Sequence, residues 1–279
     1  MANSEVIKHF KKDNIIDDFL TSYGTEADDR TSLFIRQRKN LIIEQVQKYY
    51  KDARILEVGC GIGDLSIELA GLGYDCVAID ISDEAIEMAR QKTPEKLKGS
   101  VSFSVGDLNE LSIEKPYDVL IANGVIPYFE DKKEFLDCIS KQLNSNGRSF
   151  ITHRNALFNL FALNRGTLEF IQEHLSFIDK DISTELSNEI TGIDKERNSF
   201  SNSHLYRSEE VPFEMEALYK ASNMDLSIIH SCCIHTQPPR IDDSSAEDYI
   251  IAQQKYQSDW RGLLLGSQFL AIAQKNASI

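Results

Sequence analysis

The sequence predicts an α/β fold in which helices cover both faces of a mainly parallel sheet. From residue 54 onward, short apolar segments alternate with helical patterns, an order that favours parallel strands joined by helices. The strand candidates are almost continuously apolar, as strands buried on both faces are. The first of them runs through a glycine-rich loop straight into a helix. Five strands are predicted before residue 153: 54–59, 75–80, 101–105, 117–123 and 147–152.

Helical patterns fill the intervals between these strands. A periodic stretch from Leu33 to Tyr50 precedes the first strand, in a region that is polar overall. A helix over 83–91 begins after Ser82, a residue type that caps helix N-termini well. Another helical pattern covers 131–143.

The alternation breaks after residue 153 and returns after residue 208. Residues 156–177 are helix-like and rich in aromatic side chains, whereas 179–204 are polar and acidic. A helix at 209–222 and strands near 225–235 and 267–274 follow. The interval 155–206 is too long for a plain loop. Two roles are open for it, a lid or wall of a substrate site and a family-specific decoration.

Composition and charge narrow the possible functions. The chain has 279 residues, of which 42% are apolar and 27% charged, as in soluble globular proteins. Its net charge of −14, with no basic cluster beyond residues 36–39, disfavours DNA or RNA as a substrate, because neutralising phosphates needs a basic surface. No segment approaches the about 20 apolar residues of a membrane span, and the N-terminus has no signal-peptide core, so no membrane partner is expected.

The five cysteines indicate a reducing compartment. Their number is odd and most lie in apolar segments, which is typical of buried thiols in a cytoplasmic protein rather than of a disulfide framework. One predicted strand carries His230, Cys232, Cys233 and His235. Because side chains alternate along a strand, His230 and Cys232 face one side of the sheet and Cys233 and His235 the other. No tetrahedral metal site is therefore expected.

The segment from Glu57 to Gly63 predicts a binding loop. Gly59, Gly61 and Gly63 follow the first strand, and glycine is used where the backbone turns sharply or lies close to a ligand. The helix that follows directs free N–H groups and a positive dipole end toward a bound anion. The third glycine comes one residue early for a dinucleotide fingerprint, where Asp64 stands instead. Glu57 places a carboxylate beside the loop, which suits a ligand with an amino group.

Two further carboxylates follow strands at the same predicted edge, where ligands of open α/β sheets bind. Asp80 ends the second strand, and its two oxygens can accept hydrogen bonds from adjacent ribose hydroxyls. A helix cap is the alternative role, which Ser82 already fills. Asp107 follows the third strand and can accept the amino hydrogens of adenine while Leu108 packs on the ring. A turn aspartate is the alternative for Asp107.

These motifs resemble those of the class I S-adenosylmethionine-dependent methyltransferases, in order and spacing, over residues 50–153. The resemblance implies a Rossmann-like seven-stranded methyltransferase sheet, mostly parallel with an antiparallel last strand, helices on both faces and a helical insertion after strand 5. It also implies S-adenosylmethionine as cofactor. The residues implied to bind that cofactor are Glu57, Gly59, Cys60, Gly61, Gly63, Asp80, Ile81, Asp107, Leu108, Asn123, Gly124 and Val125.

The resemblance further implies methyl transfer, by in-line displacement, to an oxygen or nitrogen atom of a small-molecule acceptor. A hydroxyl acceptor needs a base, and His153 at the end of the fifth strand is the first candidate. A histidine that only caps the strand end is the alternative, and Arg165 and His235 are weaker candidates. Fainter similarity of 153–171 and 233–239 is to methyltransferases of sugar and surface-polysaccharide biosynthesis. The predicted acceptor contacts are Tyr128, Arg154 and Asn155.

Two other function classes are open. An NAD-dependent oxidoreductase would also place Asp80 on a ribose, although the glycine spacing and Asp107 argue against it. A non-catalytic subunit that binds S-adenosylmethionine is the other. The expected organisation is an N-terminal helical cap at 1–50 and a methyltransferase domain at 51–279, with a lid-like insertion at 155–206. The sequence predicts neither the acceptor nor the oligomeric state.

Overall fold

The computed structural model shows a seven-stranded sheet with helices on both faces. The strands are β1 (Arg54–Val58), β2 (Asp75–Asp80), β3 (Val101–Val105), β4 (Tyr117–Ala122), β5 (Leu143–Arg154), β6 (Met224–Ile234) and β7 (Gly266–Lys275). The helices are α1 (Arg30–Tyr49), α2 (Asp64–Gly71), α3 (Asp83–Lys92), α4 (Lys132–Gln142), α5 (Asn159–Ala162), α6 (Arg165–His174), α7 (Met215–Lys220), α8 (Ala246–Tyr256) and α9 (Gly262–Leu265). The structure describes residues 30–111, 115–175, 184–185, 188, 208–239 and 241–277.

The strand order is β3-β2-β1-β4-β5-β7-β6. Strands β1 to β5 are all parallel to one another. Strand β7 runs antiparallel to both of its neighbours, β5 and β6. This topology confirms the predicted fold class. Because β6 points the same way as β1 to β5, all six strands end at one edge of the sheet. We call this edge the carboxyl edge.

The predicted element bounds agree with the structure in most places. Strands β2 and β3 begin and end where the apolar pattern predicts. Strand β5 is longer, because it begins at Leu143 rather than at residue 147. The helix expected at 209–222 is a 3₁₀ turn, Pro212–Glu214, that continues into α7. Helices α8 and α9 were not predicted.

The core lies in two layers, one on each face of the sheet. Ile55 of β1 packs with residues of α1, α2 and α3, whereas the next residue, Leu56, packs with residues of α4 and α7. Successive side chains of a strand point to opposite faces, so a strand covered on both sides is apolar throughout. This double burial explains the nearly continuous apolar strands of the sequence.

Ser82 caps α3 as predicted, since its hydroxyl accepts a hydrogen bond from the backbone of Ala85 at 3.2 Å. Helix α1 is the described part of the predicted N-terminal cap, and α5 and α6 belong to the predicted insertion. The predictions for 1–29 and for most of 176–206 lie outside the described residues. No helix in the described part of the chain is long and apolar enough to cross a membrane.

Candidate functional site

The loop after β1 holds three glycines in the left-handed region, with φ of 69°, 52° and 80° at Gly59, Gly61 and Gly63. A Cβ on Gly59 would collide with the side chain of Val125, and one on Gly63 would lie 2.7 Å from the Phe103 ring. A Cβ on Gly61 would have no atom within 4 Å. Gly59 and Gly63 therefore allow close packing, while Gly61 faces open space where a ligand can approach the backbone.

The loop is anchored to the neighbouring strand by its own backbone. The N–H groups of Gly59 and Cys60 both donate to the carbonyl oxygen of Ile79 in β2, at 2.8 and 3.0 Å. The N–H of Gly63 donates to the carbonyl of Cys60 at 3.0 Å. The Cys60 side chain is buried, so its contribution to a ligand site is through the backbone.

Glu57 lies beneath the start of α2 and is only 3% exposed. The hydroxyl of Ser66, in the first turn of α2, donates to its carboxylate. Burial raises the pKa of Glu57 to about 8, against the opposing effect of the hydrogen bonds from Ser66. The expected contact of Glu57 with an amino group of a ligand stays a prediction. The carboxyl group supports the helix that follows the glycine loop.

Asp80 lies beside the open glycine. Its Oδ2 accepts a hydrogen bond from the N–H of Gly61 at 2.8 Å, and its Oδ1 accepts one from the N–H of Ser82 at 2.9 Å. Burial raises the pKa of Asp80, and these backbone hydrogen bonds oppose that rise. Each carboxylate oxygen keeps a second lone pair, so a ribose diol remains chemically compatible with this position. The next residue, Ile81, is half-buried.

Asp107 is held close to Asp80 by the backbone. The N–H of Gly106 donates to the carbonyl oxygen of Asp80 at 2.9 Å, which joins the ends of β2 and β3. Oδ1 of Asp107 accepts hydrogen bonds from the backbone and side-chain amides of Asn109, at 2.9 Å each. Leu108 is buried beside it. Asp107 thus stabilises the turn through Oδ1, and its Oδ2 can accept a hydrogen bond from a further partner.

The turn after β4 contains Asn123, Gly124 and Val125, and Val125 is the residue that packs against Gly59. Gly124 has a φ of 78°. Its N–H donates to the hydroxyl of Thr152 at 2.6 Å, and that hydroxyl donates to Oδ1 of Asn123 at 3.2 Å. The glycine loop, the ends of β2 and β3, and this turn are thus contiguous along the carboxyl edge.

Arg38 of α1 reaches this turn, and no local pattern distinguishes it from the other residues of the basic cluster at 36–39. Its Nη1 donates to Oε1 of Gln268 at 2.8 Å and lies 3.5 Å from the place a Cβ of Gly124 would occupy. Its Nε is buried without a hydrogen-bond partner. Among the described residues no carboxylate pairs with it. Arg38 therefore offers a positive charge to an anionic ligand.

His153 is not at an open surface. It is fully buried, its Nε2 lies 2.9 Å from the hydroxyl of Tyr219, and its Nδ1 lies 3.3 Å from Glu210. The ring also stacks on Phe269. Burial alone would raise the pKa of Glu210, but its hydrogen bonds and the charges of His153 and Lys132 lower it. Both ring nitrogens thus lie near protein groups in this structure, and the role of His153 as a base stays a prediction.

The three predicted acceptor contacts differ in what they can still bind. Asn155 is buried, and its amide nitrogen donates to the carbonyls of Leu263 and Gly266, both at 2.7 Å. Its Oδ1 accepts the N–H of Leu157, so both ends of the amide have protein partners in this structure, and the acceptor contact stays a prediction. Arg154 forms two hydrogen bonds to Glu209 and remains partly exposed. Tyr128 is half-buried in the 3₁₀ turn Ile126–Tyr128 after β4.

A family model described as "Methyltransferase domain" matches residues 50–196. The chain belongs to this methyltransferase domain family. A magnesium-protoporphyrin O-methyltransferase of Rhodobacter capsulatus is 38% identical over 76 residues, which are 27% of this chain and 34% of that protein. A ubiquinone biosynthesis O-methyltransferase of Rickettsia bellii is 31% identical over 138 residues, 48% of this chain and 57% of that protein. The matches thus span less than two thirds of these methyltransferases.

The solved structures of other methyltransferases share the fold. Magnesium protoporphyrin IX methyltransferase from Synechocystis PCC 6803, crystallised with bound S-adenosylhomocysteine, superposes with a TM-score of 0.63 at 13% identity. The superposition covers 98% of this chain and 100% of the other. At this identity the similarity establishes the fold alone. Neither alternative class, an oxidoreductase or a non-catalytic subunit, is supported by these comparisons.

Proposed function

We propose that this methyltransferase-family protein transfers a methyl group from S-adenosylmethionine to an oxygen or nitrogen atom of a small-molecule acceptor. The observation that carries the proposal is the open backbone of Gly61 beside the carboxylate of Asp80. Open backbone at a helix N-terminus, next to a carboxylate at a strand end, fits a nucleoside with a polar tail. Membership of the methyltransferase domain family supports the same proposal.

The carboxyl edge offers a partner for each part of this cofactor. Asp80 suits the ribose hydroxyls, and Asp107 with the buried Leu108 suits the adenine. Arg38, with its unpartnered buried Nε, suits the carboxylate of the methionine part. The turn at 123–125 lies between Arg38 and the glycine loop. Glu57, Ile81 and the backbone of Cys60 complete the proposed cofactor set.

The protein's part in the reaction is mainly to hold and enclose the reactants. S-adenosylmethionine, when bound, supplies a methyl group that its positively charged sulfur has already activated. Positioning an acceptor at attack distance, in a site closed to water, then provides most of the remaining acceleration. We propose Tyr128 and Arg154 as acceptor contacts, since both keep exposed surface at the carboxyl edge. The insertion at 155–206 remains our proposal for the acceptor wall, and 1–50 for a cap of the domain at 51–279.

A small-molecule acceptor, rather than a nucleic acid, is supported by the net charge of −14. We also propose a cytoplasmic location, since all five cysteines are free thiols and four of them are buried.

Calorimetry with S-adenosylhomocysteine and with NAD tests the cofactor. We expect binding of the former alone, and tighter binding of NAD would contradict the proposal. Methyl transfer from labelled S-adenosylmethionine to a panel of nucleotide sugars, amines and phenols tests the reaction. Cofactor binding without transfer to any acceptor class would instead favour a non-catalytic subunit.

A further inference from the structure

Thr152 lies near the end of β5 and is almost completely buried, at 1% exposure. Its hydroxyl does not pair within its own strand. It accepts the N–H of Gly124 at 2.6 Å and donates to Oδ1 of Asn123 at 3.2 Å. Both partners belong to the turn after β4, so one buried hydroxyl ties two successive residues of that turn to the neighbouring strand.

These two hydrogen bonds fix which way the Asn123 amide points. A hydroxyl has a single proton, and here that proton goes to Oδ1 of Asn123. The Nδ2 group, with its two donors, is therefore on the other side of the amide. Asn123 is half-buried, and within the described part of the chain its Nδ2 donates to no group. The guanidinium of Arg38 lies beside the next residue, Gly124.

We propose that Thr152 is a positioning residue for the amino-acid half of the bound cofactor. By holding Oδ1 of Asn123, it presents Nδ2 beside Arg38 as a second donor for a carboxylate. Thr152 itself touches no ligand and acts through the turn. The inference rests on the proposed function, because the carboxylate is that of S-adenosylmethionine or S-adenosylhomocysteine.

Threonine suits this task better than other residue types of similar size. A β-branched side chain in a strand has few χ1 states, so its hydroxyl is held in one direction. Valine has nearly the same shape but no hydroxyl. Thr152→Val therefore leaves the partly buried N–H of Gly124 without its partner and frees the Asn123 amide to rotate.

The test compares two probes that differ in the amino-acid half. S-adenosylhomocysteine carries that half, and 5′-methylthioadenosine lacks it. We expect Thr152→Val to weaken S-adenosylhomocysteine about tenfold in calorimetry, equivalent to about 1.4 kcal/mol. The affinity for 5′-methylthioadenosine should stay within about twofold. Thr152→Ser keeps the hydroxyl and should restore most of the binding.

Matched controls separate this role from general destabilisation. Thr93 is also buried, and its hydroxyl donates to the carbonyl of Ala89 at 2.7 Å. Thr93→Val makes the same chemical change away from the turn and should leave both affinities unchanged. Asn123→Asp keeps an acceptor for Thr152 but removes the Nδ2 donors, so it should weaken S-adenosylhomocysteine selectively. This second variant also serves if Thr152→Val does not fold.

A double-mutant cycle tests whether Thr152 acts through Asn123. Thr152→Val should cost less than about twofold when Asn123 is already alanine. Equal losses for the two probes, or unchanged S-adenosylhomocysteine affinity in both Thr152→Val and Asn123→Asp, would overturn the inference. If the wild-type protein itself does not bind S-adenosylhomocysteine, it is the proposed function that fails.

Discussion

Replacing Glu57 by glutamine should remove a pH dependence of stability that the wild-type protein carries between pH 6 and pH 9. The carboxyl group is 3% exposed beneath α2, and burial raises its pKa from the ordinary 4.5 to about 8. A raised pKa means that the folded protein holds the proton more tightly than the unfolded chain does. The stability that this group contributes is therefore complete below pH 4.5 and is lost as the pH rises through 8.

The magnitude follows from that pKa difference. Across this range the unfolded chain is ionised, and the folded protein must give up its proton on the way to pH 9. Each pH unit below the folded pKa costs about 1.4 kcal/mol, so the loss from pH 6 to pH 9 is about 2–3 kcal/mol. Glutamine carries no titrating proton and keeps an oxygen to accept the Ser66 hydroxyl.

Urea unfolding at pH 6, 7.5 and 9 measures the effect. At pH 6 Glu57→Gln should already be more stable than the wild type by about 2 kcal/mol, because Glu57 is ionised in the unfolded wild-type chain but neutral in the folded protein. At pH 9 this difference should be larger by about another 2–3 kcal/mol. Glu110→Gln, at an exposed position, is the control and should follow the wild-type pH curve. Parallel curves for Glu57→Gln and the wild type would refute the reasoning.

Four other substitutions test the site. Asp80→Ala should weaken S-adenosylhomocysteine by about 2–4 kcal/mol in calorimetry with the fold intact by circular dichroism, and unchanged affinity would reduce Asp80 to a backbone contact. Gly63→Ala should lower stability to urea by about 1–3 kcal/mol more than Gly73→Ala, which also has a positive φ but open space around it. Arg38→Gln should weaken S-adenosylhomocysteine about tenfold and spare 5′-methylthioadenosine, and equal losses would place its role elsewhere. His153→Phe should lower the free energy of unfolding by about 1–3 kcal/mol without changing S-adenosylhomocysteine affinity, whereas a loss of turnover with unchanged stability would support His153 as a base.

The regular part of the fold could be predicted because its elements carry local signals. Strand β2 has an apolar interior between Asp75 and Asp80, whereas the edge strand β3 alternates the buried Val101 and Phe103 with exposed serines. The early start of β5 has no such signal. The Asn144 side chain donates to Asp118 of β4 at 2.7 Å, so a contact remote in sequence extends the strand through a segment that looks like a turn.

The start of helix α8 is marked by its capping residues rather than by apolar periodicity. Ser245 and Asp248 form a capping box at its start, with hydrogen bonds in both directions. The helix buries Tyr249, Ala252 and Gln253, so its apolar face is narrow. A pattern based on apolar periodicity therefore misses a helix whose start the capping residues mark.

Some residues of the candidate site can be predicted from the sequence and others cannot. The glycine loop and Asp80 follow from the rule that parallel strands end at one edge. His153 also ends a strand, but position alone does not say which face its side chain takes. Thr152 and His153 are neighbours on β5 with opposite orientations, so one points to the turn at 123–125 and the other to Tyr219 of α7.

The distribution of charge along the carboxyl edge has a mechanistic consequence. Near the ends of β5 and β6, Arg154 pairs with Glu209 and His153 with Glu210. His235 lies 3.7 Å from Asp242, too far for a hydrogen bond, and burial and Arg30 lower the pKa of His235 to about 4. On the cofactor side Arg38 keeps its charge without a carboxylate partner among the described residues. We therefore propose that the charge of Arg38 holds the cofactor and that catalysis depends mainly on placement of the acceptor. Proton removal by His153 stays the alternative that His153→Phe tests.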